Sequence, residues 1–157
     1  LNSRAQVLVD LLNLVPHPEG GYYQSTFKAE LKSTEDLLDY TSIYFLLTEQ
    51  EVSHFHQLTA DELWYFHEGD PLDIHMIHPD GRYVIERLGL NVVAGERPQV
   101  KVSKGTIFGS KLADGGNYGL VGCMVAPGFT FEDFKLFTEA ELLSRFPEHK
   151  TIIKALT

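Results

Sequence analysis

Ser53-His54-Phe55-His56-Gln57-Leu58-Thr59-Ala60-Asp61-Glu62-Leu63-Trp64, closed by Gly69, gathers two imidazoles and a carboxylate between apolar, strand-like runs. Side chains on an extended strand alternate faces. His54 and His56 therefore project to one side, where Glu62 on the next strand can meet them. Imidazole and carboxylate together suit a first-row divalent metal or an acid/base pair acting on a bound substrate. The stretch therefore predicts a pocket between strands without naming its contents.

From about Tyr22 to Val125 the chain consists of short β-branched and aromatic runs separated by turn signals, among them Pro79-Asp80-Gly81 and Asp114-Gly115-Gly116. About eight to ten strands with no helical crossovers between them predict antiparallel β, a sandwich or barrel rather than a βαβ fold. Ser3 with Gln6 reads as a capping box, and Leu8, Leu11, Leu12 and Val15 recur at helical spacing until Pro16. Thr138 with Glu141 makes a second box, followed by Leu142, Leu143 and Phe146. Pro147 can then open a short helix carrying Ile152, Ile153 and Leu156. The expected organisation is one domain over 1–157, with a β body at about 20–137 and flanking helices at about 4–14 and 139–156.

A chain of 157 residues is one domain's length and buries roughly 68–70% of its unfolded surface without staples. Its net charge of -9 argues against nucleic-acid binding, which draws its affinity from Lys and Arg contacts to phosphates. Cys123 is the single cysteine, which excludes an intrachain disulfide and fits a reducing compartment. No stretch approaches the roughly 20 apolar residues of a membrane span, and no signal pattern opens the sequence. A soluble cytoplasmic protein is expected.

The histidine segment resembles the first motif of the cupin superfamily: a Gly, five residues, His-x-His, three or four residues, Glu, six residues, Gly. His54, His56, Glu62 and Gly69 match in order, whereas Thr48 stands at the leading Gly and five residues separate His56 from Glu62. Further segments extend the likeness: Pro16-His17-Pro18-Glu19-Gly20-Gly21-Tyr22-Tyr23, Thr41-Ser42-Ile43-Tyr44-Phe45-Leu46-Leu47, Gly95-Glu96-Arg97-Pro98-Gln99-Val100 and Ala126-Pro127-Gly128-Phe129. They are similar to the cupin family filed as domain of unknown function 985, over nearly the full length. The resemblance implies a mainly β, double-stranded β-helix jelly roll with an N-terminal helix and C-terminal helices. It also implies a homodimer and a cavity inside the barrel.

The second cupin motif, Pro-x-Gly-x-x-His with Asn four residues later, is where the sequence departs. Ser103-Lys104-Gly105-Thr106-Ile107-Phe108 keeps the Gly but has Ser at the Pro and Phe108 at the His, and Leu112 replaces the Asn. A cupin metal site draws three His and one Glu, so His54, His56 and Glu62 remain as candidate ligands for a divalent cation. That donor supply makes a metal the less favoured reading and a metal-free polar cluster the more favoured one.

Within that cluster His56 and Glu62 are the surer pair, able to hold and move a proton as one coupled unit. Tyr44 is the candidate complementary phenol, with a core tyrosine as its plain alternative. His54 sits toward the barrel mouth as a gating or substrate-contact residue. Alternation turns Trp64 and Phe66 inward beside Phe108, as apolar walls. Gln99 offers amide donors and an acceptor to a ligand, or faces water on a ladder edge. Glu19, between Pro18 and Gly20-Gly21, either reaches the cavity mouth or, as favoured, belongs to a turn that organises a dimer. His17, His67, His75, His78 and His149 share no pattern and read as surface or interface residues. The Phe129, Phe131, Phe134 and Phe137 stripe reads as packing.

Three functions follow. The first is a small-molecule-binding protein acting as a metal-independent epimerase or isomerase on a sugar-like or keto substrate, with catalytic residues His56, Glu62 and Tyr44. The second is a non-catalytic ligand-binding or sensing module. The third is a metal-dependent dioxygenase or isomerase.

Overall fold

The structure, a computed structural model, describes residues 3–31 and 36–157. Helix α1 (Ser3–Leu11) leads into the two-residue strand β1 (Val15–Pro16), followed by β2 (Tyr22–Lys28), β3 (Thr41–Thr48), β4 (Ser53–Leu58) and β5 (Asp61–Gly69). Then come β6 (Leu72–Ile77), β7 (Tyr83–Leu88), β8 (Gln99–Val102), β9 (Ile107–Leu112), β10 (Tyr118–Ala126) and β11 (Phe134–Leu136). Helices α2 (Glu139–Arg145) and α3 (Lys150–Ala155) end the chain. Two antiparallel sheets form, in the orders β1-β2-β3-β10-β5-β8 and β11-β4-β9-β6-β7. The arrangement is the expected jelly roll.

Three apolar clusters explain why the strands do not alternate cleanly in sequence. Between the sheets lie Phe45, Leu47, Trp64, Ile74, Met76, Phe108 and Val121. Outside the first sheet, Leu46 and Leu120 meet Leu8 and Leu14 around α1. Outside the second, Phe55, Ile77 and Ile107 meet Leu142, Ile153 and Leu156 of the C-terminal helices. A sheet covered on both faces carries apolar residues at odd and even positions alike. Each fully buried Leu, Ile or Phe contributes about 1.5–3 kcal/mol.

The helix ends follow local chemistry. Thr138 and Glu141 form the expected capping box. At the N-terminus the expectation fails: Ser3 is already helical, and Gln6 donates forward to Asp10 at 2.9 Å. Helix α1 stops at Leu11, before the periodicity runs out, because Asn13 takes a left-handed conformation at φ 54°. Leu11 and Val15 are exposed as a result, and Val15 and Pro16 pair with Tyr23 and Tyr22 instead. The two expected turns join β6 to β7 and β9 to β10, with Gly81 and Gly115 at φ 86° and 83°.

The β1–β2 hairpin determines the site. His17 N–H donates to Gly21 O at 2.9 Å and Gly20 N–H to His17 O at 3.0 Å, closing a loop that carries Glu19. Gly20 has φ 105°, and a Cβ there would overlap the Val52 carbonyl oxygen, so only glycine allows the loop to lie against the start of β4. Gly20→Ala is expected to destabilise the fold by on the order of 3 kcal/mol. The measurement is urea unfolding; a loss below about 1 kcal/mol would contradict the close approach.

Candidate functional site

Between the sheets, near the end where β4 and β5 meet, a cavity of about 50 Å³ is lined by His17, Glu19, Tyr23, His56, Glu62 and Cys123, with apolar walls that include Leu58 and Phe129. The polar groups converge from four parts of the fold. Glu19 comes from the β1–β2 hairpin, His56 from an inward position of β4, Glu62 from the start of β5, and Cys123 from β10. Cys123 and Val125 share the inward face of β10 with Val121.

Glu19 and His56 form a buried ion pair, with Nε2 2.9 Å from Oε2; they are 7% and 3% exposed. The other ring nitrogen, Nδ1, lies 2.7 Å from the His54 carbonyl oxygen. That oxygen only accepts, so Nδ1 carries a proton. A carboxylate at Nε2 then calls for a second proton on the ring, making it an imidazolium. Titration runs the same way. Burial alone would lower His56, but the charge and hydrogen bond of Glu19 carry it above the usual histidine value. Burial alone would raise Glu19, but His56 holds it below the usual carboxylate value. The Ser53 hydroxyl also favours ionised Glu19, although it makes no hydrogen bond of normal geometry.

Glu62 behaves oppositely. Burial, then the neighbouring Glu19 charge, push its carboxyl up to about 8, with His56 and the Trp64 indole opposing. Trp64 Nε1–H donates to Glu62 Oε2 at 3.1 Å. At neutral pH the cavity therefore holds one carboxylate, one imidazolium and one neutral carboxylic acid, the divergence that separates an acid from a base. Burial, reinforced by Glu62 and Glu19, also raises the Cys123 thiol well above its usual value, so it stays protonated.

Sequence reasoning favoured a dimer-organising turn for Glu19, which instead reaches into the cavity, and it misplaced His17. Far from being a surface histidine, it lines the cavity. It accepts the Glu19 backbone N–H on Nδ1 at 3.0 Å. Burial lowers its pKa against the opposing Glu19 charge, so the ring is neutral with its proton on Nε2. His54 is a clamp rather than a cavity wall: its backbone N–H and ring Nδ1 both donate to the Glu19 carbonyl oxygen, at 2.7 and 2.8 Å.

The remaining candidates divide by face. The Phe108 ring packs against that of His56 at a tilt of 50°, centroids 4.1 Å apart, and Phe134 packs on the same imidazole at 5.3 Å. Phe66 packs against the inter-sheet core. Tyr44 lies on the opposite face of β3, with the α1 cluster and 5.9 Å from His67, so the structure does not bring it to the cavity. Gln99 is exposed on β8, alternating with buried Val100 and Val102. His75 and His149 flank Tyr83 outside the second sheet. Of the aromatic stripe, Phe129 lines the cavity, and Phe131 reaches within 4.9 Å of Phe129 and 6.4 Å of His17.

Residues 6–137 match the profile of the cupin superfamily family DUF985. The chain belongs to this family. The DUF985 chain resembles a Shewanella oneidensis protein of known structure, with 49% identity over 98% of this chain and 96% of that one and a TM-score of 0.94. A hypothetical protein from Leishmania major is 40% identical over 98% of both chains, with a TM-score of 0.92. Oxalate decarboxylase from Bacillus subtilis shares the fold alone, at 14% identity and TM-score 0.59 over 90% of this chain and 36% of that one. No curated protein sequence matches.

The cupin metal set does not fit the residues of this DUF985 chain as they are arranged. His54 does not line the cavity, His56 Nε2 faces Glu19, and the Phe108 ring packs on His56 where the motif would place another histidine. Among the described residues no three His, Cys, Asp or Glu side chains are grouped to hold an ion.

Raised Glu62 has a consequence for stability. The folded state keeps a proton that the unfolded state releases above about 4.5, so stability falls as pH rises from there to about 8. Glu62→Gln keeps the shape without the ionisation. Its melting temperature relative to wild type is expected to climb between pH 5 and pH 8, then level off. A constant difference over that range in a calorimetric series would contradict a protonated Glu62.

Proposed function

We propose that this protein binds a small hydroxycarbonyl compound and moves a proton next to the carbonyl, as an epimerase or isomerase does. The observation that carries the reading is the neutral acid Glu62 sharing one cavity with the Glu19–His56 ion pair. This arrangement offers a base and an acid to one bound molecule.

In the reaction, the Glu19 carboxylate takes the proton from the carbon beside the carbonyl. The C–H electron pair becomes the C=C bond of an enediol. The carbonyl π pair moves to oxygen, which takes the Glu62 proton. For isomerisation, the Glu62 carboxylate then removes the proton of the neighbouring hydroxyl while Glu19 returns its proton to the former carbonyl carbon. The His56 imidazolium compensates the carboxylate charge, on Glu19 first and on Glu62 in the enediol stage, while His17 offers Nε2–H to a ligand oxygen and Trp64 fixes Glu62. The small volume favours the reacting end of an open chain over a pyranose, since a cavity that takes even a benzene-sized ring measures roughly 150 Å³.

One observation favours a second reading, a binding module without turnover: both nitrogens of His56 are already engaged, to His54 and Glu19. A single experiment separates the two readings. Glycolaldehyde, glyceraldehyde and dihydroxyacetone are incubated in D2O and followed by NMR. Catalysed exchange at the carbon beside the carbonyl is expected, falling as pH rises through about 8 because Glu62 must be protonated to donate. Glu62→Gln should reduce it by roughly 10²–10⁴-fold. Saturable binding with no exchange above the Glu62→Gln background would leave the binding module standing and reject catalysis.

A further inference from the structure

We propose that the site selects uncharged ligands and rejects phosphate- and carboxylate-bearing ones, so that its substrate class is the free hydroxycarbonyl rather than a sugar phosphate or keto acid. The inference builds on the small-molecule reading above and narrows it.

The cavity walls carry the first part of the argument. Among the described residues that line it there is no Lys or Arg. Its cation, His56, is already matched by Glu19 at 2.9 Å. His17 accepts a backbone N–H on Nδ1, which a protonated imidazole could not do, so it supplies a dipole rather than a charge. A ligand carboxylate or phosphate would enter without a counter-ion and face the Glu19 carboxylate. An isolated anion in such a place is strongly disfavoured because its lost hydration is not replaced by a counter-ion.

The approach to the cavity carries the second part. An adjoining cleft of about 240 Å³ shares Leu58, Val125 and Phe129 with the cavity. Leu37, Thr59, Ala60, Pro127, Gly128 and Thr130 complete its lining with Asp133, whose carboxylate is the cleft's charged group among the described residues. Thr130 Oγ1–H donates to Asp133 at 2.7 Å, which fixes that carboxylate in the cleft. An anionic tail left in the cleft while the reacting end enters the cavity would again meet negative charge. Thr59 and Thr130 suit ligand hydroxyls, and Phe129 and Leu58 offer apolar surface to a carbon chain.

The test is an affinity ladder on the wild-type chain at pH 7 and constant ionic strength, read by ligand-observed NMR. Glyceraldehyde and dihydroxyacetone are compared with glyceraldehyde 3-phosphate, dihydroxyacetone phosphate, glycerate and pyruvate. The neutral pair should saturate the protein, with every anion at least about 100-fold weaker. An anion that binds as tightly as its neutral counterpart overturns the inference, as does failure of both neutral compounds to bind at 100-fold excess. Because the ladder reads affinity, neutral selectivity without solvent deuterium exchange would sustain this inference while rejecting catalysis. Tight anion binding with exchange would do the reverse.

Discussion

Burying the Glu19 carboxylate opposite the His56 imidazolium is the constraint around which this end of the barrel is organised. Two charges taken out of water are tolerated only when they meet in good geometry and their remaining polar atoms are bonded. That requirement accounts for the surroundings. The His54 carbonyl takes the outer proton of His56, while His54 itself holds the Glu19 backbone with two donors. Gly20 lets the hairpin lie close enough for this clamp. Burial, and then the Glu19 charge beside it, keep Glu62 protonated in this arrangement.

The protein also illustrates how a scaffold associated with metal chemistry can house a different polar set. Phe108 does more than remove a nitrogen donor. Its ring, with that of Phe134, encloses His56 in an apolar sleeve. That desolvation strengthens the attraction between His56 and Glu19. The same apolar setting withholds charge from Glu62 and Cys123, leaving two neutral donors beside one compensated pair.

Much of the fold was legible in sequence because local chemistry decides it. The strand Thr41–Thr48, the turns at Gly81 and Gly115 and the Thr138 cap all follow from residues within a few positions of one another. The inward placement of His56, Glu62 and Trp64 followed from strand alternation. Tyr44 was harder to place because β3 is covered on both faces, which erases the polar/apolar alternation that would have assigned its side. Gln99 had a readable signal: its alternation with Val100 and Val102 already turned it outward. The roles of Glu19 and His17 were hidden for another reason. Their contacts depend on how a hairpin closes over a strand far along the chain, which no local periodicity encodes.

Strand β10, which carries Cys123, lies between β3 and β5 in the middle of its sheet, with apolar residues packed against both faces. The rim beside Phe129 is built differently: Phe131 is 53% exposed and sits in the short 3-10 turn Phe131–Asp133 before the three-residue strand β11. Backbone amides in such a rim open far more often than those of a central strand. For a ligand bound as proposed, brief local openings of the Phe129–Phe134 segment would suffice for exchange while β10 stays closed. Residence time is then a property of a few rim contacts rather than of the stability of the whole barrel.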